Sequence, residues 1–254
     1  MSIRTAGRSG EWPAVCEPQL PGHATISANM SWYPIELNLE GRRAVVVGGG
    51  QVAARKVAGL LAAGAVVRVV SPRCCPDLAE RQGIEWVRQP YVADALEDAD
   101  LVFACTDDRM LNARVAIDAR RVGALCNNAD DPGASGFLVP AVLRHGDFTV
   151  AVGTGGVGPK LAANIRGRLA SLLGPEFGIL VGELRKARAQ VRERVADMRL
   201  RRQIMEKLCG DDSVKLLATQ GPKAWRAWMT RLVEQQPEEI ERWEPADNGG
   251  DASE

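Results

Sequence analysis

With 254 residues, 46% of them hydrophobic, the chain can bury a substantial core and is long for one minimal domain, so a nucleotide-binding domain with additions is the natural expectation. Lys+Arg and Asp+Glu each total 32, which excludes the global positive field that draws a protein to nucleic acid and leaves any anionic ligand to local basic clusters. Six scattered cysteines (16, 74, 75, 105, 126 and 209) and two histidines, His23 and His145, exclude a paired-ligand zinc site and read as reduced thiols of a cytoplasmic protein.

Residues 1–30 contain Pro13, Pro18 and Pro21 and no apolar stretch of signal-peptide length, so they read as a flexible leader. Met30 stands directly before the first patterned segment and is a candidate translation start. No later run approaches the roughly 20 apolar residues needed to span a bilayer, so a membrane partner is not expected. Arg43–Val47, RAVVV, predicts a buried parallel strand entering a turn at Gly48, Gly49 and Gly50. Ala53, Val57, Leu60 and Leu61 then recur at helical spacing, which predicts a helix over Gln51–Ala63 with Gly64 as its stop. Val66–Val70 is the next strand, and the series has the length of one right-handed βαβ unit.

Strands over Ile84–Val87, Leu101–Cys105 and Ala124–Asn127, with a helix over Met110–Val122, extend this into a doubly wound α/β sheet of Rossmann type. Phe137–Ala141 and Phe148–Val152 predict a hairpin outside that sheet, joined through Arg144, His145, Gly146 and Asp147. From Pro159 onward the pattern is helical: Leu161, Ile165, Leu169, Leu172 and Leu173 form a stripe ended by Gly174 and Pro175, and 176–235 reads as helix throughout. The acidic tail 236–254 reads as disordered.

Gly48, Gly50 and Ala53 fit the G-x-G-x-x-G/A dinucleotide fingerprint, with strand before and helix after. The first glycine makes the turn, and the second admits a pyrophosphate to the helix N-terminus. The carboxylate that usually follows about 20 residues on to bind the ribose is missing, since the second strand ends Val70, Ser71, Pro72, Arg73. An arginine there favours a 2′-phosphate, so NAD and NADP both stay open.

The segments YPIELNLEGRRAVVVGGGQVAARK (33–56), ACTDD (104–108), NNADDP (127–132), GFLVPAVL (136–143) and AVGTGGVGPKLA (151–162) together resemble the precorrin-2 dehydrogenase and sirohydrochlorin ferrochelatase module of the siroheme synthases. The resemblance runs from Tyr33 to about Leu232, through ELRKAR and RRQIMEK. It implies an NAD-binding Rossmann domain over 31–143, a dimerisation region over 144–175, a small all-helical domain over 176–235, and a tetrapyrrole bound between domains at the interface of a homodimer. Large relatives also carry a methyltransferase domain; this chain ends before one, like the stand-alone enzymes that start from ready-made precorrin-2. The implied reaction is NAD-dependent oxidation of precorrin-2 to sirohydrochlorin, with insertion of Fe2+ as substrate into that product left open.

Asn127, Asp130 and Pro132 match the family's Asn-x-x-Asp-x-Pro loop, which carries its catalytic aspartate. A carboxylate at the carboxyl end of a doubly wound sheet is placed to take a proton as hydride leaves for nicotinamide. Turn statistics alone favour a capping role for Asp130, and the resemblance reverses that preference in its favour over the adjacent Asp131. Gln51 and Val52, Pro72 and Arg73, and Thr106 transfer as cofactor contacts; Asp107 and Asp108 follow the fourth strand, where capping serves equally for Asp108. Thr154, Gly155 and Gly156 precede a helix and form, with Lys160 and Asn127, the expected substrate contacts, because main-chain amides there suit a polycarboxylate. Arg166 and Arg168 are further candidates, whereas Arg185, Lys186, Arg188, Arg192 and Arg194 read as a solvated face and Trp225 and Trp228 as packing residues. Two other readings stand beside this one: an NAD-sensing regulatory module without a catalytic carboxylate, and a Rossmann dehydrogenase of another small acid.

Overall fold

Alternation decides the central layer. Along Arg43–Val47 (β1) Ala44 and Val46 face one side of the sheet and Val45 and Val47 the other, and all four are 0–1% exposed. A strand buried on both faces belongs in the middle of a parallel sheet covered by helices. A computed structural model describes residues 32–234 and has that architecture. The described chain divides into two compact units: one runs to Pro140 and takes in Gly153–Ala162, and the other comprises Ala141–Val152 with the residues from Ala163 onward.

In the first unit β1 is followed by α1 (Gln51–Ala62), β2 (Val66–Val70), a short helix α2 (Pro76–Ala79), β3 (Ile84–Val87), β4 (Leu101–Ala104), α3 (Arg109–Arg121) and β5 (Leu125–Asn128). The five strands are parallel in the order β3-β2-β1-β4-β5. One core layer packs Ala53, Val57 and Leu60 of α1 on Ala44, Val46, Val67 and Val69; the other packs Val115, Ala116 and Ala119 of α3, with Leu96, on Val45, Val47 and Val102. The order reverses between β1 and β4, paired with Val47 opposite Ala104, and the carboxyl ends of these two strands flank the switch point where such sheets bind ligands.

In the second unit β6 (Ala141–His145) and β7 (Phe148–Val152) pair antiparallel apart from the main sheet. The hairpin expected over Phe137–Ala141 is shifted toward the C-terminus: the ladder runs from Ala141 opposite Val152 to His145 opposite Phe148, and only Gly146 and Asp147 form the turn. Pro140, which has no N–H for a ladder, precedes the first strand. After α4 (Pro159–Ala170) come α5 (Glu176–Arg194), α6 (Met198–Leu208) and α7 (Asp211–Glu234). The helical stripe expected to reach Leu173 ends at Ala170, and Leu172 is 73% exposed. The region expected as wholly helical forms the three helices α5, α6 and α7, and the last is kinked at Gly221 (φ 79°, ψ 178°), because Pro222 has no N–H and disfavours α geometry in the residue before it. Trp225 and Trp228 are fully buried and meet edge to face in the core of α5, α6 and α7. The leader, the tail from residue 236, Cys16, His23 and the Met30 start lie outside the described residues.

Glu183 of α5 is buried, and Arg226 of α7 binds it through two hydrogen bonds of 2.7 and 2.8 Å. That fork, with Lys186 beside it, holds the Glu183 carboxyl below its usual range against the opposing effect of burial. A lowered carboxyl pKa contributes stability above the unfolded-state value, and that contribution is lost as pH falls through the folded value. Arg226→Ala should therefore lower the urea midpoint of unfolding at pH 7, because it leaves the buried Glu183 carboxylate without its bidentate partner. The gap between variant and parent should shrink at pH 3; urea unfolding followed by far-ultraviolet circular dichroism at both pH values reads both effects.

Candidate active site at the carboxyl edge of the sheet

The turn after β1 touches its neighbours backbone to backbone. Gly48 has φ +121°, and a Cβ there would lie 2.5 Å from the Cys105 carbonyl oxygen at the end of β4. A Cβ on Gly49 would lie 2.0 Å from the Arg73 carbonyl oxygen, and the Gly49 carbonyl accepts a hydrogen bond from the Cys75 amide at 2.7 Å. The turn is thus clamped between the ends of β2 and β4. Gly50 differs: it is the N-cap of α1, no side chain caps that helix end, its first turn holds no acid, and a Cβ at Gly50 would meet nothing within 4 Å. An uncapped helix N-terminus with open space at its first residue is a cradle that fits the diphosphate of a dinucleotide. Gln51 and Val52 begin the helix and are exposed, as are Pro72 and Arg73. Gln51 Nε2 reaches Asp77 at 3.4 Å.

Beyond β4 the chain turns through Thr106, Asp107 and Asp108. Asp108 caps α3, accepting from the amides of Met110 and Leu111 at 2.8 and 3.1 Å. Asp107 is exposed. The amide and hydroxyl of Thr106 both donate to Asn112 Oδ1, at 3.0 and 2.8 Å. Asp130, in the loop after β5, accepts from Asn112 Nδ2, and its own amide donates to Asn128 Oδ1 at 3.0 Å. Asp131 is engaged differently: its carboxylate caps the short 3-10 turn Pro132–Ala134 through the amides of Gly133 and Ala134. Of the two neighbouring acids, Asp130 is the one tied to α3. Asn127 is 5% exposed and donates from Nδ2 to the Phe137 carbonyl, so its amide anchors the chain beyond the loop.

Charge at this edge is also visible in nearby groups. Burial pushes the Cys105 thiol up to about 11, the Lys56 ammonium opposing and the Asp130 carboxylate adding to the shift, so Cys105 is a protonated packing group at neutral pH. Burial lowers Lys56 from its usual value, and its ammonium lies 5.7 Å from the Phe103 ring centre. The Thr154 loop belongs to the same unit and abuts the Asp130 loop: a Cβ on Gly156 would lie 3.0 Å from Pro132 Cβ. Thr154 Oγ1 accepts from the Gly158 amide at 3.2 Å, while Gly155, Gly156 and Lys160 are exposed. The glycine turn, Thr106, Asp130 and the Thr154 loop are therefore linked along one edge. Asn112, Asn128 and Lys56 were not singled out from the sequence; for Asn112 the available signal was a polar residue on the buried stripe it shares with Val115, Ala116 and Ala119.

Fold and turn together define a dinucleotide-binding α/β protein, and residues 35–141 match a family model described as NAD(P)-binding. The chain is 35% identical over 217 residues to a siroheme synthase of Nitrosospira multiformis, which covers 83% of this chain and 46% of the relative. It is 41% identical over 180 residues, 70% of this chain and 38% of the relative, to one of Chromobacterium violaceum. The solved structure of SirC, a precorrin-2 dehydrogenase, superposes with a TM-score of 0.65 at 21% identity, covering 80% of this chain and all of that one. The chain is thus similar to siroheme synthases over most of its own length and spans under half the length of the curated relatives it matches.

A substitution at Gly50 separates cradle from fold. Gly50→Ala should keep the parent's melting temperature within about 2 °C, because the added methyl meets no protein atom. It should weaken NAD binding by at least about tenfold, measured by isothermal titration, since the methyl occupies the space open for the diphosphate.

Proposed function

We propose that this chain oxidises precorrin-2 to sirohydrochlorin with NAD as oxidant. The observation that carries this reading is the linkage of the glycine turn, through Thr106 and Asn112, to the carboxylate of Asp130 at one sheet edge. Gly48 and Gly50 shape the cradle, Gln51 and Val52 offer main-chain amides at the start of α1, and Pro72, Arg73 and Thr106 border it. Bound there, the nicotinamide supplies an acceptor for two electrons and one proton. The ring loses two hydrogens: one departs as hydride with both electrons, and the other leaves as a proton to the Asp130 carboxylate, which passes it to solvent. The absence of any carboxylate along Val70, Ser71, Pro72 and Arg73 removes the usual barrier to a 2′-phosphate, so the assay compares NAD with NADP.

For the substrate's carboxylates the chain offers the amides of Thr154, Gly155 and Gly156 ahead of α4, with Lys160 adding a charge-assisted contact and Asn127 anchoring the facing loop. Fe2+ is a substrate in this scheme, entering a product whose ring nitrogens supply the ligands as two pyrrole protons leave. We place the reaction in the cytoplasm; among the described residues no helix is long and apolar enough to cross a membrane. The segment 144–175 serves as a dimerisation region, since α4 buries only Ala162 among its residues and leaves Leu161 exposed, as is Leu172 just beyond it. Light scattering at micromolar concentration should give twice the chain mass.

Anaerobic incubation with precorrin-2 and either coenzyme should yield sirohydrochlorin faster than a protein-free control, and repetition with ferrous iron reads metal insertion. In Asp130→Asn the turnover number should fall about a hundredfold or more while NAD affinity stays within about threefold. Unaltered turnover removes Asp130 from the proton step.

A further inference from the structure

We infer that Asn112 is the positioning residue of this site, holding the Asp130 carboxylate in fixed register with the cofactor-facing turn after β4. The inference rests on the proposed role of Asp130 as proton acceptor. Asn112 is 0% exposed and stands one turn into α3, whose N-terminus Asp108 already caps. Capping therefore gives no reason for an amide here, and its neighbours on the buried stripe, Val115, Ala116 and Ala119, are aliphatic.

What the amide does is read from its partners. Oδ1 accepts from the Thr106 amide and hydroxyl at 3.0 and 2.8 Å, and Nδ2 donates to the Thr106 carbonyl at 3.0 Å and to Asp130 Oδ2 at 2.5 Å. These four bonds use both lone pairs and both hydrogens of a side-chain amide, so its orientation is fixed and it has no spare group to turn toward substrate. Three of the four grip Thr106, and the fourth reaches the carboxylate.

Thr106 is in turn tied to the cradle. A Cβ on Gly48 would lie 3.1 Å from the Thr106 nitrogen, so the peptide that Asn112 holds is packed against the glycine turn itself. A donor fixed to the cofactor wall sets where one carboxylate oxygen stands, and proton acceptance falls steeply when the acceptor is misplaced by about an ångström. The opposite anchor is the Asp130 amide on Asn128 Oδ1, which fixes the backbone and leaves the side chain's aim to Asn112.

Asn112→Asp replaces the donor with an acceptor of the same shape and sets two carboxylates side by side, which favours protonation of one of them. Its turnover number at pH 7 should fall about thirtyfold or more, with KM for precorrin-2 and the dissociation constant for NAD within about threefold of the parent. The acid limb of its pH profile should move to higher pH by about one unit or more, a change that a packing defect alone does not produce. A cofactor-free measurement on the parent guards against a variant that does not fold. The side-chain amide resonance of Asn112, followed by nitrogen-15 NMR, should trace a carboxylate titration that disappears in Asp130→Asn. Parent-like turnover and pH profile in folded Asn112→Asp, or an Asn112 resonance indifferent to Asp130→Asn, overturns the inference while the oxidation of precorrin-2 by the parent stands. A parent that oxidises no precorrin-2 with either coenzyme overturns the proposed function and this role together.

Discussion

At the carboxyl edge of the sheet, main chain lies directly on main chain. The turn after β1 fits between the ends of β2 and β4 so closely that Gly48 and Gly49 have no room for side chains. That contact does two things at once. It seats the N-terminus of α1 in the open at the switch point, and it brings the peptide after β4 against the turn, so that whatever holds Thr106 is registered to the cradle. The two valine-rich core layers supply the stiffness behind this arrangement, since strands packed on both faces cannot shift without disturbing both.

The polar groups divide their work by position. Asp108 and Asp131 cap a helix and a short turn, Asn127 and Asn128 fix the backbone beyond β5, and Asn112 reaches from Thr106 to Asp130. A run of acids and amides that looks interchangeable along the chain is thereby sorted into structural groups and one carboxylate with an oriented partner. The hydrogen bond from Asn112 leaves that carboxylate oriented, as the proposed proton transfer requires.

Much of the fold was legible along the chain because its signals are local. β1, β2 and β3 fall on the expected residues, and α1, α3, β4 and β5 within one residue of them, since short β-branched runs and helical periodicity depend on neighbours in sequence. The hairpin was placed too early because apolar character from Phe137 to Ala141 does not reveal that Phe137 packs edge to face on Phe103 beside the main sheet. The helix after Pro159 was drawn too long for a similar reason: leucines continue the period past Ala170 although the backbone has already turned.

The sequence by itself determined the parallel sheet, the glycine turn and the pattern of motifs that resembles the siroheme synthases, all of which rest on spacing over a few residues. Only the tertiary structure decided which acid of the Asp130 and Asp131 pair is free of capping, and that a buried asparagine eighteen residues upstream orients it. The physical reason is that hydrogen-bond partners are chosen in space: β4 and β5 must pair, and α3 must pack on them, before Asn112 and Asp130 come within reach of each other.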